Sequence, residues 1–212
     1  MYAIITDGSI SKYINHPKPL VIGDVQYPAR IFSVWTANEL AAIGIIEVTF
    51  DDSKKKDEQW YINTNQTYTY DADAGTVTAT YGDATAKAHA DTTWSQQDSD
   101  DGDLPDDKEV GDVKTRGLKY NLIQTLKSQV AGILSDTDWY ITRNAEKSTA
   151  IPSAISTHRD AVRTKQASME TAITNASDTP ALETLYTYVN TADEGDPVVM
   201  ERPLGEFPEL GS

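Results

Sequence analysis

Cysteine is absent from the 212 residues, which excludes disulfides, thiolate nucleophiles and cysteine-bound metals together. No apolar run approaches the roughly 20 residues that span a bilayer, so membrane insertion is not expected. The opening, Met1-Tyr-Ala-Ile-Ile-Thr-Asp-Gly8, lacks both a basic stretch and a long apolar core, which argues against a secretory signal. Basic side chains are scarce: 18 against 33 acids leave a net charge of −15. Such a balance repels phosphate backbones, and no nucleic-acid partner is expected. Catalytic signatures are missing too, with no G-x-S-x-G, H-E-x-x-H, G-x-G-x-x-G or P-loop. His16, His89 and His158 are scattered without ligand-like spacing, so a zinc site or a triad would need folding alone to bring them together. The expectation is a chain that is not an enzyme, with no catalytic residue, no metal and no cofactor.

What is present is 39% hydrophobic residues, enough for one or two compact domains. The acids are concentrated. Residues 98–112 hold eight acids and one lysine, and residues 193–212 hold six acids and one arginine, leaving only −3 on the rest of the chain. A like-charged block containing Gly102 and Pro105 buries too little apolar surface to offset its chain entropy. This predicts a β-rich module over 1–97, an acidic linker over 98–112, a helical module over 113–192 and an acidic, extended tail over 193–212. Aligning Asp98 with the first position of a calcium loop puts Gly102 at position 5 and Asp103 where the turn glycine is required, so a solvated linker is the better reading.

The fold class expected is α+β. Tyr2–Thr6 and Ser9–Ile14 flank Asp7-Gly8, a hairpin turn. Thr36-Ala-Asn-Glu39 is a capping box for a helix over Ala37–Ile43 that Gly44 ends. Ile46, Val48 and Phe50 then alternate as a strand with one buried face. Trp60–Tyr70 and Thr76–Tyr81 form a Tyr/Thr-rich hairpin. Its rings Trp60, Tyr68, Tyr70 and Tyr81 are candidate contact residues. No lysine or arginine is interleaved from Asn63 to Tyr81, so packing or protein contact is favoured over base stacking.

Beyond residue 112 the period becomes 3.6. Leu118, Leu122, Leu126 and Val130 fall four apart, predicting a helix over about 114–134. A second helix follows Pro152 with Ile155, Val162, Met169 and Ile173 on one face. A third starts at Asp178-Thr-Pro180 and carries Leu182, Leu185, Tyr186 and Val189. A helical hairpin or three-helix unit is therefore expected. The spacing of seven between Ile155, Val162 and Met169 suits either an internal core or self-association into a homo-oligomer. Between these helices, Leu134-Ser-Asp-Thr-Asp-Trp139 precedes Ile151-Pro152 and Arg159-Asp-Ala-Val-Arg163. Trp139 is placed to cap the groove between two antiparallel helices, and Arg159 and Arg163 to pair with Asp136 and Asp138. Leu126, Val130, Leu134, Trp139, Ile155, Arg159, Val162 and Arg163 are the candidate packing or interface residues.

The order L-x-x-T-D-W, I-P and R-x-A-x-R resembles the carboxyl-terminal helical segment of bacteriophage tail-fibre assembly and tail-assembly chaperone-like proteins. That segment also recurs at the ends of phage tail structural proteins. Glu39-Leu-Ala-Ala-Ile-Gly-Ile-Ile-Glu-Val48 is similar to the E-L-A-x-x-G-I-x-x-V pattern near the start of such proteins. Together the matches cover about half of the chain. The resemblance implies a virion protein of the phage tail, assembled in the host cytoplasm, fibre- or baseplate-associated and docking on other tail proteins. An assembly chaperone that leaves before the virion is complete is the alternative. The Tyr/Thr hairpin, acidic block and long tail depart from the shorter chaperones and favour the structural part.

Overall fold

A computed structural model describes residues 1–211. The fold is α+β, as the sequence predicts, with strands concentrated towards the start and helices after residue 117. Two compact units are present, residues 1–85 and 86–212. No helix among the described residues is long and apolar enough to cross a membrane.

The first unit contains β1 (Tyr2–Thr6), β2 (Ser9–Ile14), β3 (Leu20–Ile22), β4 (Val25–Tyr27), α1 (Ile31–Val34), α2 (Ala37–Ala42), β5 (Ile45–Asp51), β6 (Tyr61–Ile62), β7 (Thr67–Asp71) and β8 (Thr76–Thr80), and β9 (Thr85–Ala86) falls on the boundary. A five-stranded sheet runs in the order β2-β1-β5-β8-β7. All its neighbours are antiparallel except the parallel pair β5–β8. The sheet curls until its edges approach, with the Tyr13 ring on β2 lying 4.7 Å from that of Tyr68 on β7.

Ala3, Val48, Val77 and Ala79 are buried inside the curl, packed by Ile5, Ile46, Tyr68 and Tyr70. A second cluster, Ile31, Leu40 and Ile45, lies under α1, α2 and the β3–β4 ribbon. Strand β5 is thus buried on both faces where it begins, rather than on the single face expected, and Phe50 at its far end is exposed. The capping box is as read: Glu39 accepts from the Thr36 amide at 2.7 Å, and the Glu39 amide donates to the Thr36 hydroxyl at 3.3 Å. Gly44 follows α2 at φ +79°, where a Cβ would sit 2.8 Å from the Ile5 carbonyl oxygen. That close approach gives β1 its bond from the Ile5 amide to the Gly44 carbonyl, at 2.7 Å.

The second unit contains β10 (Thr92–Thr93), α3 (Gln96–Asp100), β11 (Val113–Thr115), α4 (Leu118–Ser135), α5 (Asp138–Lys147), α6 (Ser153–Asn175), α7 (Thr179–Tyr186), β12 (Val189–Asn190) and β13 (Met200–Glu201). Helices α4 and α6 pack antiparallel. Lys119 at the start of α4 reaches the Thr174 carbonyl at the end of α6, while Arg159 near the start of α6 reaches the Leu134 carbonyl. Leu126, Val130, Ile155, Val162, Met169 and Ile173 meet as a buried seam, which Leu182 of α7 extends.

The division expected at 98–112 is corrected. That acidic segment lies inside the second unit, as an excursion between β10 and β11, and not between modules. Its base is closed by two bonds, from the Trp94 amide to the Asp112 carbonyl and from the Gly111 amide to the Trp94 carbonyl, both 2.8 Å. Ser95 and Asp98 cap α3 reciprocally. Lys114 pairs with Asp98 and lies 4.3 Å from the centre of the Trp94 ring. Pairing of Val113–Thr115 with β10 also explains why α4 starts at 118 and not 114. Upstream, the Leu118 amide donates to Ala88 and the Thr179 hydroxyl to Lys87, so residues 87–93 belong with the helices.

Two expectations follow. Proteolytic nicking within 103–110 should leave both fragments associated on native size exclusion and separate only in denaturant. Release of a free fragment beginning near Val113 would contradict this closure. The second concerns acid. The Lys114 ammonium, and then the Ser95 hydroxyl and amide, hold the Asp98 carboxyl well below the usual aspartate range. A depressed carboxyl contributes fully above its unfolded pKa of about 3.9 and loses its effect as pH falls through the folded value. The Trp94 fluorescence component, isolated by difference against Trp94→Phe, should therefore stay flat from neutrality to about pH 4 and change only in stronger acid. A transition between about pH 5 and 7 would contradict the assignment.

Candidate functional site

The T-D-W and R-x-A-x-R segments, separated by about twenty residues, come together where α4 ends. After Ser135 the chain makes a one-turn break at Asp136–Thr137 and restarts as α5. Thr137 is buried, and its hydroxyl donates to the Leu134 carbonyl at 3.0 Å. This satisfies one of the carbonyls that a helix end leaves orphaned.

Arg159 comes up from α6 beneath this break and is only 7% exposed. Its Nη1 donates to the Leu134 carbonyl at 2.8 Å and to the Thr137 hydroxyl at 2.6 Å, and its Nη2 meets Asp138 at 2.9 Å. Asp138 is the first residue of α5, so it pairs with the guanidinium and complements the helix N-terminus at once, while the buried Arg159 Nε makes no hydrogen bond among the described residues. A lysine ammonium is a point charge and lacks the flat fork that reaches three oxygens from one position. The Leu134, Thr137, Asp138 and Arg159 positions are therefore one clamp that sets the direction in which α5 leaves α4.

The direction matters because of what α5 carries. Trp139 is 51% exposed, against the expectation that it caps the inter-helix groove. The segment after Thr137 is helical, and one step along α5 from the clamped Asp138 the side chain projects outward. The Trp139 ring lies 3.8 Å from the ring of Tyr140, centre to centre. The Arg143 guanidinium, one turn on, lies 4.6 Å from the Trp139 ring and 5.4 Å from that of Tyr140. Ile141 beside them is also exposed. An aromatic pair braced by an arginine costs little entropy to order on binding. Trp, Tyr and Arg are also the residues that dominate binding energies at protein interfaces.

The remaining candidates sort clearly. Leu126, Val130, Ile155 and Val162 are seam residues, and Leu134 is half-buried beside them. Arg163 does not join the clamp; it is exposed and pairs within α6 with Asp160 at 3.3 Å. Trp60 is buried, and Tyr68 and Tyr70 face the inside of the curled sheet. Tyr68 and Tyr70 thus pack against the core of the curled sheet while remaining partly exposed. Tyr81 is half-buried, with Lys55 5.9 Å from its ring centre. Val189, read as part of the third helix, is exposed in β12. Among the described residues, no three histidine or acidic side chains gather to hold a metal ion.

Tyr140 and Arg143 were missed by sequence reasoning. The available signal was an acid in the first turn and a base in the last, Asp138 and Lys147, which marks a short helix despite its lack of a continuous apolar stripe. No protein-family model matches the chain, and no curated protein or solved structure shows significant similarity to it.

Proposed function

We propose that this chain is a structural component of a bacteriophage tail, fibre- or baseplate-associated, that works by docking on other tail proteins and not by catalysis. The observation that carries the reading is the exposure of Trp139 beside Tyr140 and Arg143, on a helix whose direction the buried Arg159 sets. Of the residues that carry the resemblance to phage tail proteins, Leu134, Thr137, Asp138 and Arg159 form the clamp and Trp139 is the ring it presents. A motif that fixes how an aromatic anchor is displayed has the physical logic of an interface, since an anchor held in place loses less freedom when it binds. The curled sheet of the first unit serves as a separately folded scaffold in this reading.

The test is mass spectrometry of purified phage particles. The chain should be present at a fixed copy number. Its presence in infected cells with absence from finished particles would replace this reading with that of an assembly chaperone.

A further inference from the structure

Residues 187–201, which form β12, β13 and the turn between them, bury almost nothing. A two-stranded ribbon is marginal in water unless one of its faces packs on something. The β3–β4 ribbon meets that condition, with Leu20, Ile22 and Tyr27 against the Ile31 cluster. The β12–β13 ribbon does not, for Ala192 alone among residues 187–201 is not exposed. Tyr188, Val189, Val198, Val199 and Met200 are between 47% and 70% exposed. Large apolar side chains gathered at the surface in this way mark a contact site.

The ribbon is held at its base and open at its sides. The Leu204 amide donates to the Leu185 carbonyl at 3.0 Å, and the Arg202 guanidinium lies 5.6 and 5.4 Å from the rings of Tyr186 and Tyr188. Val189 pairs with Glu201 and Asn190 with Met200, while the Thr191 amide donates to the Val199 carbonyl at 2.8 Å. Peptide groups alternate in direction along a strand, so those of Val198 and Met200 point away from β12. Neither strand has a second neighbour among the described residues, which leaves backbone donors and acceptors unpaired along β13. Val198-Val-Met200 carries neither a charge nor a proline to blunt that edge.

We propose that the β13 edge takes a third strand from a partner protein, an extended segment of alternating apolar or β-branched residues that carries lysine or arginine. Main-chain bonds to the outward peptides of Val198 and Met200 supply the affinity, and the exposed valines and Met200 supply the side-chain contacts. The charge of the partner follows from the ribbon. Residues 187–201 contain Asp193, Glu194, Asp196 and Glu201 and no base. None of these carboxylates is in an ion pair among the described residues. An arriving cation therefore meets uncommitted charge, whereas a second copy would bring the same carboxylates with it. Because β13 is already extended, little of the ordering cost of binding falls on this chain. The edge shares no residue with the Trp139 surface and does not depend on it.

Selection of a random nine-residue peptide library, each peptide linked to its own messenger RNA, on the immobilised full chain tests this. Enriched peptides should alternate apolar or β-branched residues and carry more lysine and arginine than acids. The strongest of them, synthesised, should bind in solution and weaken about tenfold or more when its alternate amides are N-methylated. Its affinity should also fall as salt rises. Met200→Pro should weaken binding to the same extent, since it removes an outward amide and leaves the bonds between β12 and β13 in place. If that variant loses the ribbon, Asp193→Asn combined with Glu194→Gln and Asp196→Asn should melt like the wild type and still bind the peptide more weakly. No enrichment, an acidic or non-alternating consensus, or binding indifferent to N-methylation overturns the proposal. So does self-association of the wild type that Met200→Pro abolishes, which would give the edge to a second copy.

Discussion

Replacing Arg159 with alanine is expected to cost about 3 kcal/mol of stability and to loosen α5 from the bundle. The substitution removes two bonds from a charged donor to the Leu134 carbonyl and Thr137 hydroxyl, each the kind that contributes about 1.5–3 kcal/mol. It also empties a packed position that the aliphatic stem fills. The ion pair with Asp138 adds less, because that carboxylate is 61% exposed and an exposed partner is screened by water. Asp138→Asn should accordingly cost no more than about 1 kcal/mol. Chemical denaturation of the two variants gives the comparison. Equal losses would mean that the ion pair, and not the fork into the helix break, is the main contact. Arg159→Lys should behave closer to alanine than to wild type, since one ammonium cannot reach all three oxygens.

Trp139→Ala has the second large effect, on binding and not on folding. A tryptophan filling the groove between α4 and α6 would cost about 3–5 kcal/mol on truncation. The ring here is half exposed and touches mainly Tyr140 and Arg143 on its own helix, so stability should change by no more than about 0.5 kcal/mol. Docking on a partner should weaken by about 2 kcal/mol or more, roughly thirtyfold in Kd. Arg143→Ala should reproduce part of that loss by freeing both rings. A collapse of cooperative melting in Trp139→Ala would return the residue to the core and remove the basis for the docking surface.

The contrast between these residues shows what was readable in the sequence. Leu126, Val130, Ile155, Val162, Met169 and Ile173 announce α4 and α6 because burial on one face imposes its period directly on residue type. Thr36 with Glu39, and Asp178 with Pro180, announce helix starts because capping is local chemistry. Arg159 was recognised as a partner of Asp138, but its depth was hidden, since nothing local says that a charged side chain will meet a helix break from another element. Trp139 misled for a related reason. A large apolar ring beside a helix end suggests a core, and only α5, whose short stripe is aromatic and cationic, turns it outward. The acidic block was hardest to place. Its charge is consistent with a solvated loop, but charge density does not say whether the ends of a loop are tied, and here β10 and β11 tie them.

In the proposed function, the clamp at Arg159 holds Trp139 outward for assembly into a phage tail. The most direct measurement of this is the copy number of the chain per purified particle, for wild type and for Trp139→Ala, by quantitative mass spectrometry alongside the melting of each purified chain. The account predicts a fixed copy number for the wild type and loss of the variant from particles, with both chains melting alike. Absence of the wild-type chain from particles, or equal incorporation of the variant, would contradict it.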